Sequence, residues 1–319
     1  MRFLQVVERD GRYTADLILG PSPDPGPGEV LIRVAASGLN RADLSQIAGR
    51  YPPPPGESDI PGLEVAGTRV GSREPVCALL GGGGHAELVA VPEGQVFPAP
   101  PGMDLVTAAA IPEAYLTAYV NLIPECGLAA GDTVLVHAGA SGVGLAAIQL
   151  ARFCGARVAA TTRSGEKLKA LESAGADLAL VTDGERWVEG IEAAWGRNCV
   201  DIVLDPVGAP TYPGDLRLLA TRGRIVSLAT MGGAQVTVDL ALLMKKWARL
   251  IGSTLRARSR EEKRRVVAEF RERVLPAFGG NTPRLRPVVD QVFTPEHAAE
   301  AFQRMRDNRN VGKLLIRWE

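Results

Sequence analysis

Short apolar runs separated by glycine and proline dominate the first hundred residues of the chain. The clearest of these runs cover residues 29–34, 64–67 and 86–91. Apolar runs of this length between turn-forming residues are typical of β-strands. The pattern therefore predicts that this region is mainly β.

A different pattern begins near Ala108, where the sequence becomes rich in alanine. From Asp132 onward, an apolar run, a glycine-rich turn and an amphipathic segment repeat along the chain. This alternation predicts βα units in a parallel, doubly wound sheet of the Rossmann type. The predicted strands are residues 133–137, 157–162, 200–205 and 224–229, and the predicted helices begin at Gly142, Gly165, Glu185 and Pro213.

The last part of the chain mixes both patterns. After Ser253 we predict a charged helix ending at Phe278, a strand at residues 288–293, a helix at 295–308 and a strand at 313–318. Because the N-terminal β region needs a covering helix and closing strands, we expect this tail to fold back onto it. The predicted fold is α/β: residues 1–112 and 254–319 form a mainly β domain, into which a Rossmann domain of residues 113–253 is inserted.

Composition supports a packed globular protein with a small-molecule partner. Of the 319 residues, 46% are hydrophobic and 23% are charged, which is ordinary for a folded domain. Lys and Arg total 36, as do Asp and Glu, so no excess of positive charge favours nucleic acid or an anionic membrane. The basic run at residues 256–265 contains Glu261 and Glu262 and is predicted to be a solvated, ion-paired helix face.

The cysteines and the N-terminus bear on the cellular compartment. Four cysteines at positions 77, 126, 154 and 199 form no CxxC pair, which argues against disulfides and against a clustered metal site. No window holds 18 uninterrupted apolar residues, so we expect neither a signal peptide nor a membrane-spanning helix. A reducing cytoplasm is the expected location.

The strongest motif is the small-residue turn after the first predicted Rossmann strand. An apolar strand enters this turn, and the turn opens a helix whose N-terminal N–H groups and dipole suit a pyrophosphate. The predicted cofactor-binding residues here are Ala138, Gly139, Ala140, Ser141, Gly142, Val143 and Gly144. Ser141 replaces the middle glycine of a GxGxxG turn. Its hydroxyl is predicted either to contact the cofactor, by bonding a phosphate or pointing toward the nicotinamide, or to cap the helix.

The end of the second Rossmann strand indicates which dinucleotide is bound. A site for NAD places a carboxylate there to bind the ribose 2′-hydroxyl, whereas this chain has Arg163, Ser164 and Lys167. Cationic and hydroxyl groups favour a 2′-phosphate, so the predicted cofactor is NADPH. The alternative is that Lys167 is solvated and Glu166 binds the ribose.

Several motifs in order along the whole chain resemble the medium-chain dehydrogenase/reductase superfamily, in particular its zinc-free quinone oxidoreductase branch related to zeta-crystallin. They are GEVL at residues 28–31, GLNRAD at 38–43, GRY and its prolines from 49, IPEA at 111–114, HAGASGVG at 137–144 and NVGK at 310–313. The resemblance implies a GroES-like catalytic domain around the Rossmann domain, with the active site in the cleft.

Zinc-dependent members of that superfamily carry metal ligands at two positions where this chain has Asn40 and Leu63. Leucine cannot bind a metal, and an asparagine amide is a poor zinc ligand. The cysteine cluster of the structural zinc site is also absent from the sequence. We therefore expect no metal, and an acceptor that accepts hydride readily without a Lewis acid, such as a quinone or an α,β-unsaturated ketone.

The resemblance also implies the remaining site residues. Tyr51 and Asn40 are expected in the cleft as hydrogen-bond donors to the acceptor, so the predicted catalytic residues are Tyr51, Asn40 and Ser141. Tyr51 is alternatively a packing residue, and Asn40 alternatively braces a turn. Further cofactor contacts are expected from residues at later strand ends and loops, namely Pro206, Gly208, Ala229, Thr230, Leu255, Arg256 and Asn310.

Other features are predicted to be structural. His85 is interpreted as a polar turn residue that leads into a strand, with an acid/base role as the alternative. His137 is interpreted as a packed or hydrogen-bonded residue without a catalytic role. The segment at residues 70–75 is shorter than in the family, which predicts an altered cleft mouth. The apolar run at residues 250–255 is predicted to be an exposed edge strand that pairs with a second copy, giving a homodimer.

The activity expected from these features is NADPH-dependent reduction of quinones without zinc. Two alternatives stay open at this point. One is a 2-enoyl or alkenal reductase of the same superfamily, and the other is a non-catalytic binding protein that responds to NADPH.

Overall fold

The computed structural model of the protein describes residues 1–9 and 12–319. The chain divides into two compact units. Unit 1 comprises Met1–Leu116 and Leu255–Glu319, and unit 2 comprises Thr117–Thr254. The sequence places the corresponding boundaries after residues 112 and 253.

For most of the chain, the strands and helices of the described residues follow the order that the sequence predicts. The strands are β1 (Arg2–Arg9), β2 (Arg12–Leu19), β3 (Glu29–Gly38), β4 (Glu64–Arg69), β5 (Pro75–Leu79), β6 (Leu88–Pro92), β7 (Val96–Pro98), β8 (Thr133–Val136), β9 (Arg157–Thr162), β10 (Leu178–Val181), β11 (Val200–Asp205), β12 (Leu219–Ser227), β13 (Arg249–Gly252), β14 (Val289–Phe293) and β15 (Lys313–Arg317). The helices are α1 (Arg41–Ile47), α2 (Leu105–Ala108), α3 (Pro112–Val120), α4 (Gly142–Phe153), α5 (Leu168–Ser173), α6 (Arg186–Trp195), α7 (Tyr212–Leu218), α8 (Leu240–Lys246), α9 (Arg260–Arg273) and α10 (Ala298–Arg306).

Unit 1 is built on a seven-stranded sheet of order β14-β15-β3-β4-β5-β7, with β6 also paired to β3. The long strand β3 pairs with β6 along residues 29–33 and with β15 along residues 36–38. Strand β15 lies at the end of the chain, so the tail supplies two strands of a sheet begun by the N-terminal residues. Through β15, the strands of the tail thus join the strand β3 of the N-terminal region.

Unit 2 is a six-stranded sheet of order β10-β9-β8-β11-β12-β13, and all its strand pairs are parallel. Numbered within the unit, this order is 3-2-1-4-5-6, the order of a dinucleotide-binding Rossmann sheet. The switch in strand order falls between β8 and β11, where ligands bind at the carboxyl ends of strands. The predicted α/β fold, a Rossmann sheet inserted in a mainly β domain, is confirmed.

Each unit has its own apolar core, which explains why strong apolar runs located the central strands. The core of unit 1 includes Ile32, Val34, Val65, Phe302 and Leu314. That of unit 2 includes Leu135, Ala159, Ile191, Val203 and Ile225. Strands buried on both faces read as continuous apolar runs, because helices cover a parallel sheet on each side.

Several sequence-based boundaries need correction. The charged helix α9 begins only at Arg260, because Ser259 and Glu262 form a capping box at its start. Strand β12 begins earlier and ends at Ser227, which leaves residues 229 and 230 in the following loop. Strands β1, β2, β5, β7 and β10 were not predicted.

The basic run at residues 256–265 is only partly the solvated face that the sequence predicts. Arg260 and Arg264 are exposed, whereas Arg256 and Lys263 are buried. Their burial follows from the packing of unit 1, which charge patterning along the sequence does not record.

In the part of the chain that the structure describes, no helix combines the length and apolar character needed to cross a bilayer.

Candidate active site

The glycine-rich turn joins β8 to α4 in unit 2. Ala138 lies in the left-handed region at φ +50°, and the Gly139 N–H donates to the carbonyl oxygen of Thr161 at 2.8 Å. A Cβ on Gly144 would lie 2.5 Å from the carbonyl oxygen of Ala138. The first turn of α4 therefore packs directly against the strand end, and only glycine fits there, as a dinucleotide-binding turn requires.

Ser141 is the N-cap of α4. Its hydroxyl oxygen accepts the Gly144 N–H at 3.0 Å, so the capping role, one of the two that the sequence left open, is present. The N–H groups of Gly142 and Val143 begin the helix and have no partner within it, because the first turn of an α-helix lacks upstream carbonyls. This end of a 12-residue helix suits a pyrophosphate.

The end of β9 carries the cationic residues predicted for a 2′-phosphate. Arg163 directly follows the strand, is exposed, and makes no hydrogen bond or ion pair with any residue that the structure describes. Ser164 precedes a short 3₁₀ helix, Gly165–Lys167. Because its charge is not already paired with a carboxylate, Arg163 is free to bind an anion.

The loops after β11 and β12 are joined by backbone contacts, and a buried carboxylate fixes the first of them. Asp205 accepts the N–H of Gly208 at 3.0 Å, and Gly208 has φ +87° and bridges Gly233. The carbonyl oxygen of Pro206 accepts the Met231 N–H at 3.2 Å. These bonds hold the loops that contain the other predicted residues at this edge, Ala229 and Thr230.

His137 lies directly before the glycine-rich turn and is buried. Its Nδ1 lies 2.7 Å from Thr161 Oγ1 and its Nε2 lies 2.7 Å from Asp215 Oδ1 on α7, while Trp187 packs edge-on against the ring. The interpretation of His137 as a hydrogen-bonded residue agrees with this geometry. Its partner Asp215 was not identified from sequence.

The protonation of this buried pair follows from two opposed effects. Burial lowers the pKa of His137, but the charge and hydrogen bond of Asp215 outweigh it and leave the pKa raised. Burial raises the pKa of Asp215 against the effect of His137. Both groups therefore hold protons more strongly than they would in water.

Asn40 lies in unit 1, at the start of α1, in a cluster with two charged side chains. Its Nδ2 donates to Glu64 Oε1 at 2.9 Å and to the Gly38 carbonyl at 3.2 Å, while its Oδ1 accepts from Lys313 Nζ at 2.8 Å. Lys313 also forms an ion pair with Glu64. A carboxamide has two N–H donors, and both are engaged.

This cluster bears on the two roles that the sequence left open for Asn40. Both donors of Asn40 are engaged within this cluster, so neither is free for an acceptor oxygen, and its role as a donor to the substrate stays a prediction. The bracing role, which the sequence left as the alternative, is the one that its hydrogen bonds support.

Leu63, at the other position of a zinc ligand in relatives, is buried and apolar. Across residues 1–9 and 12–319, no group of three or more His, Cys, Asp or Glu side chains comes together in a way that could hold a metal ion. The side chains near Asn40 are an ammonium and a carboxylate that already neutralise each other.

Tyr51 is fixed through Arg256. The guanidinium lies 4.9 Å from the centre of the Tyr51 ring, and its NH1 donates to the Tyr51 carbonyl oxygen at 3.2 Å. The Tyr51 hydroxyl has no hydrogen-bond partner among the described residues. Tyr51 therefore has the free donor that Asn40 lacks.

Arg256 was predicted to contact the cofactor together with Leu255. Leu255 is buried, and the described hydrogen bonds of Arg256 go to Gln46, Tyr51 and Gly81, all within unit 1. These bonds give Arg256 a role that the sequence did not indicate. Its predicted cofactor contact stays a prediction, as does that of Asn310, whose Nδ2 donates to the Gly312 carbonyl.

His85 belongs to a second buried polar network in unit 1. Its Nδ1 lies 2.9 Å from Ser37 Oγ, Trp318 Nε1 donates to the same hydroxyl at 3.0 Å, and Asp43 lies 3.5 Å from His85 Nε2. All three polar side chains, Ser37, Asp43 and His85, have no exposed surface. The order Ser-His-Asp resembles a hydrolase triad, but a nucleophile without exposure cannot meet a substrate, so this network is structural, as predicted.

The comparisons with known proteins agree with this architecture. Residues 26–72 match the family described as alcohol dehydrogenase GroES-like domain, and residues 142–272 match the family described as zinc-binding dehydrogenase. The crystal structure of a quinone oxidoreductase from Thermus thermophilus, determined alone and with NADPH, is 34% identical, with a TM-score of 0.83. The match covers 99% of this chain and 100% of that one.

Relatives with other names are similarly close. The synaptic vesicle membrane protein VAT-1 homolog of Homo sapiens is 31% identical over 92% of this chain and 80% of its own length. The spectinabilin polyketide synthase system protein NorB of Streptomyces orinoci is 33% identical over 98% of this chain, which spans only 14% of that protein's length. The full-length matches, with both family domains in order, establish that the chain belongs to the zinc-free quinone oxidoreductase branch of the medium-chain dehydrogenase/reductase superfamily.

Proposed function

We propose that the protein catalyses NADPH-dependent reduction of quinones without a metal ion. The observation that carries this proposal is the contrast between Asn40, whose donors are both engaged, and Tyr51, whose hydroxyl is free on a ring fixed over Arg256. Of these two side chains, Tyr51 is the one that keeps a free donor for an acceptor oxygen. A single hydrogen-bond donor suffices for an acceptor as electron-poor as a quinone.

Residues of unit 2 fit the cofactor. The N–H groups of Gly142 and Val143 would hold the pyrophosphate, and Gly144 lets the backbone pack closely enough to form the turn. Arg163, together with Ser164 and Lys167, would hold the 2′-phosphate, and the loops after β11 and β12 would hold other parts of the cofactor. When bound, NADPH supplies a hydride.

Tyr51 stabilises the negative charge that develops on the acceptor oxygen. Burial raises the pKa of its phenol, the positive charge of Arg256 opposes this, and Glu113 adds to it, so the pKa is raised overall. The phenol therefore stays protonated near neutral pH and remains a donor. No metal is needed, because the acceptor is activated by its own electron-poor ring.

Measured turnover tests this function directly. NADPH oxidation is followed by its absorbance with ortho- and para-quinones and with 2-alkenals, and bound metal is determined by elemental analysis. We expect rapid oxidation with quinones, a higher kcat/KM for quinones than for 2-alkenals, and no stoichiometric metal. A higher kcat/KM for 2-alkenals would instead assign the enoyl reductase activity, and no turnover with either class would contradict the proposal.

We also propose that the protein is a homodimer and that it is located in the cytoplasm. Strand β13 is at the edge of the sheet of unit 2, and exposed apolar side chains lie on it and on the preceding α8: Leu250 is 40% exposed, Met244 74% and Leu240 69%. An apolar edge of this kind favours pairing with another copy. Sedimentation of the wild type and of Leu250→Lys tests it, with a dimer expected for the wild type and dissociation for the variant. A monomeric wild type would contradict the proposal.

A further inference from the structure

The guanidinium of Arg256 connects three separate segments of unit 1. Its Nε donates to the Gly81 carbonyl at 2.8 Å, its NH1 to the Tyr51 carbonyl at 3.2 Å and its NH2 to Gln46 Oε1 at 2.7 Å. Gln46 lies on α1, and Gly81 lies in the loop after β5. One planar side chain thus fixes the loop that carries Tyr51 between a helix and a strand end.

Arg256 is a buried cation without a carboxylate bound to it. Only 4% of the residue is exposed, and none of the described carboxylates forms an ion pair with it. Asp43, Glu57 and Glu113 act on its pKa through their charges from a distance, and burial is the largest effect, which lowers that pKa. A buried charge without an ion partner is unfavourable for folding, so its retention calls for another role.

The charge of Arg256 is directed at the Tyr51 ring. The guanidinium carbon lies 4.9 Å from the ring centre, within the range of a cation–π contact. The described groups whose charges act on these two side chains are Asp43, Glu57, Glu113 and, through Arg256, Lys263. Of these charged groups, Arg256 is the cation that contacts the ring.

We propose that Arg256 is a positioning residue for Tyr51. It fixes the ring and the backbone of Tyr51 and places a positive charge beneath the phenol, so that the hydroxyl is held ready to donate a hydrogen bond to the acceptor oxygen as that oxygen becomes negative. This inference rests on the proposed reductase function and extends it. It differs from a direct contact of Arg256 with the cofactor, because such a contact acts on cofactor affinity, whereas a positioning residue acts through Tyr51.

A double-mutant cycle separates the two roles. The kcat/KM for a quinone is measured for the wild type, Arg256→Met, Tyr51→Phe and the double variant, together with the Kd for NADPH from fluorescence. We expect Arg256→Met to lower kcat/KM about 10- to 100-fold when Tyr51 is present, because misplacing a catalytic group by about 1 Å has effects of that size. In the Tyr51→Phe background the same change should have about a twofold effect or less, since residues that act as a unit are non-additive.

Arg256→Lys and Arg260→Met complete the set. Lysine keeps the charge but not the three-way fork, so it should restore part of the lost kcat/KM. Arg260 is an exposed ion-paired residue nearby in sequence, and its variant should behave as the wild type. Equal losses in both Tyr51 backgrounds, or a Kd for NADPH raised about tenfold or more by Arg256→Met, would overturn the inference.

A spectroscopic measurement keeps the inference testable without turnover. The tyrosinate absorbance that Tyr51→Phe removes identifies the titration of Tyr51. Because a nearby positive charge favours the phenolate, Arg256→Met should move this titration to higher pH, and an unchanged or lower midpoint would contradict the inference. Should Arg256→Met fail to fold, Gln46→Leu, which removes one acceptor of the fork, should shift kcat/KM in the same direction by a smaller factor.

Inactivity of the wild type with every quinone would contradict the proposed function while leaving the Tyr51 titration to decide the role of Arg256. An active wild type with an additive cycle would contradict only the role of Arg256. The two failures are therefore distinguishable.

Discussion

The glycine-rich turn of unit 2 is formed mainly by backbone groups, whereas the cluster around Asn40 in unit 1 is formed by side chains. The turn is made of backbone: the N–H groups at the start of α4, the left-handed Ala138 and a glycine with no room for a side chain. The cluster of unit 1 is made of side chains that carry charge, with Glu64 bound to both Asn40 and Lys313. A backbone site depends on volume, and a side-chain site depends on charge and on which donors remain free.

This difference teaches how each unit tolerates change. In the turn, a substitution matters when it adds atoms at a close approach. In unit 1, a substitution matters when it leaves a buried charge without its partner, even if its volume is unchanged. Four experiments test this distinction, beginning with the largest expected effect.

Removal of the Lys313 ammonium should produce the largest loss of stability. Lys313→Met keeps most of the side-chain volume but leaves the buried carboxylate of Glu64 without its cation. Breaking a buried ion pair in this way lowers the free energy of unfolding by about 3–5 kcal/mol. Chemical denaturation measures the loss, and Arg309→Met is the matched control, because Arg309 pairs with Asp307 at an exposed site where a loss of at most about 1 kcal/mol is expected. Similar losses in both variants would contradict the charge-based account of unit 1.

A methyl group at the glycine-rich turn should have the next largest effect. Gly144→Ala places a Cβ 2.5 Å from the Ala138 carbonyl oxygen, so the turn or the helix must shift. Overpacking of this kind lowers the free energy of unfolding by about 1–3 kcal/mol, and the shift should also raise the Kd for NADPH. Gly26→Ala is the control, since its nearest neighbour would lie 3.5 Å away. Unchanged stability and unchanged Kd for Gly144→Ala would show that the turn does not depend on this close approach.

The same difference, between a site formed by contiguous backbone and a site formed by side chains distant in sequence, explains what could be predicted from the sequence. The turn was located because its glycines, its strand and its helix are contiguous, and residues 138–144 lie where the pattern put them. The partners of Asn40 come from residues 64 and 313, far apart in the chain. No spacing records that Glu64 and Lys313 meet at Asn40, where Glu64 accepts from its amide and Lys313 donates to its carbonyl oxygen, so this arrangement emerged only from the fold.

Other residues could not be assigned from the sequence because it does not show which charged side chains are buried. Arg256 and Arg260 look alike in a basic run, yet one is buried beneath Tyr51 and the other is exposed. Neither Asp205 nor Asp215 was predicted. For Asp215 there was no signal, because a single aspartate in a helix has no distinctive pattern. A signal for Asp205 was present in its sequence context, since an aspartate before Pro-Val-Gly at a strand end is typical of a turn that bonds its own backbone.

Arg163 tests whether a charged side chain at the edge of the backbone site sets cofactor choice. Arg163→Ala should raise the KM for NADPH about tenfold, because a charge-assisted bond to the 2′-phosphate is lost, and should leave the KM for NADH unchanged. Steady-state rates with both cofactors measure this. Lys169→Ala removes another exposed cation, on α5, and should change neither value. If Arg163→Ala raised both KM values equally, Arg163 would not read the 2′-phosphate.

The smallest expected effect is a pH dependence of stability that comes from the buried pair of His137 and Asp215, next to the glycine-rich turn. The pKa of His137 is raised in the folded state because Asp215 outweighs the effect of burial, and that of Asp215 is raised by burial. A raised pKa means that the folded state binds the proton more tightly than the unfolded state does, so the stabilisation from His137 is fully present below its unfolded pKa of about 6.5. It is lost as the pH rises through the folded pKa.

Stability should therefore fall as the pH rises above the unfolded pKa of histidine, about 6.5, and His137→Gln should flatten that fall. Urea denaturation of both proteins across this range measures the two slopes, with His297→Gln as control, because His297 bonds only Thr294 in an exposed turn among the described contacts. If the wild type and His137→Gln showed the same slope, the pair would not titrate in this range, and the backbone turn would be independent of the charge beneath it. A smaller slope of stability against pH in His137→Gln would show that the His137–Asp215 pair, which lies next to the backbone turn, contributes to the stability of unit 2.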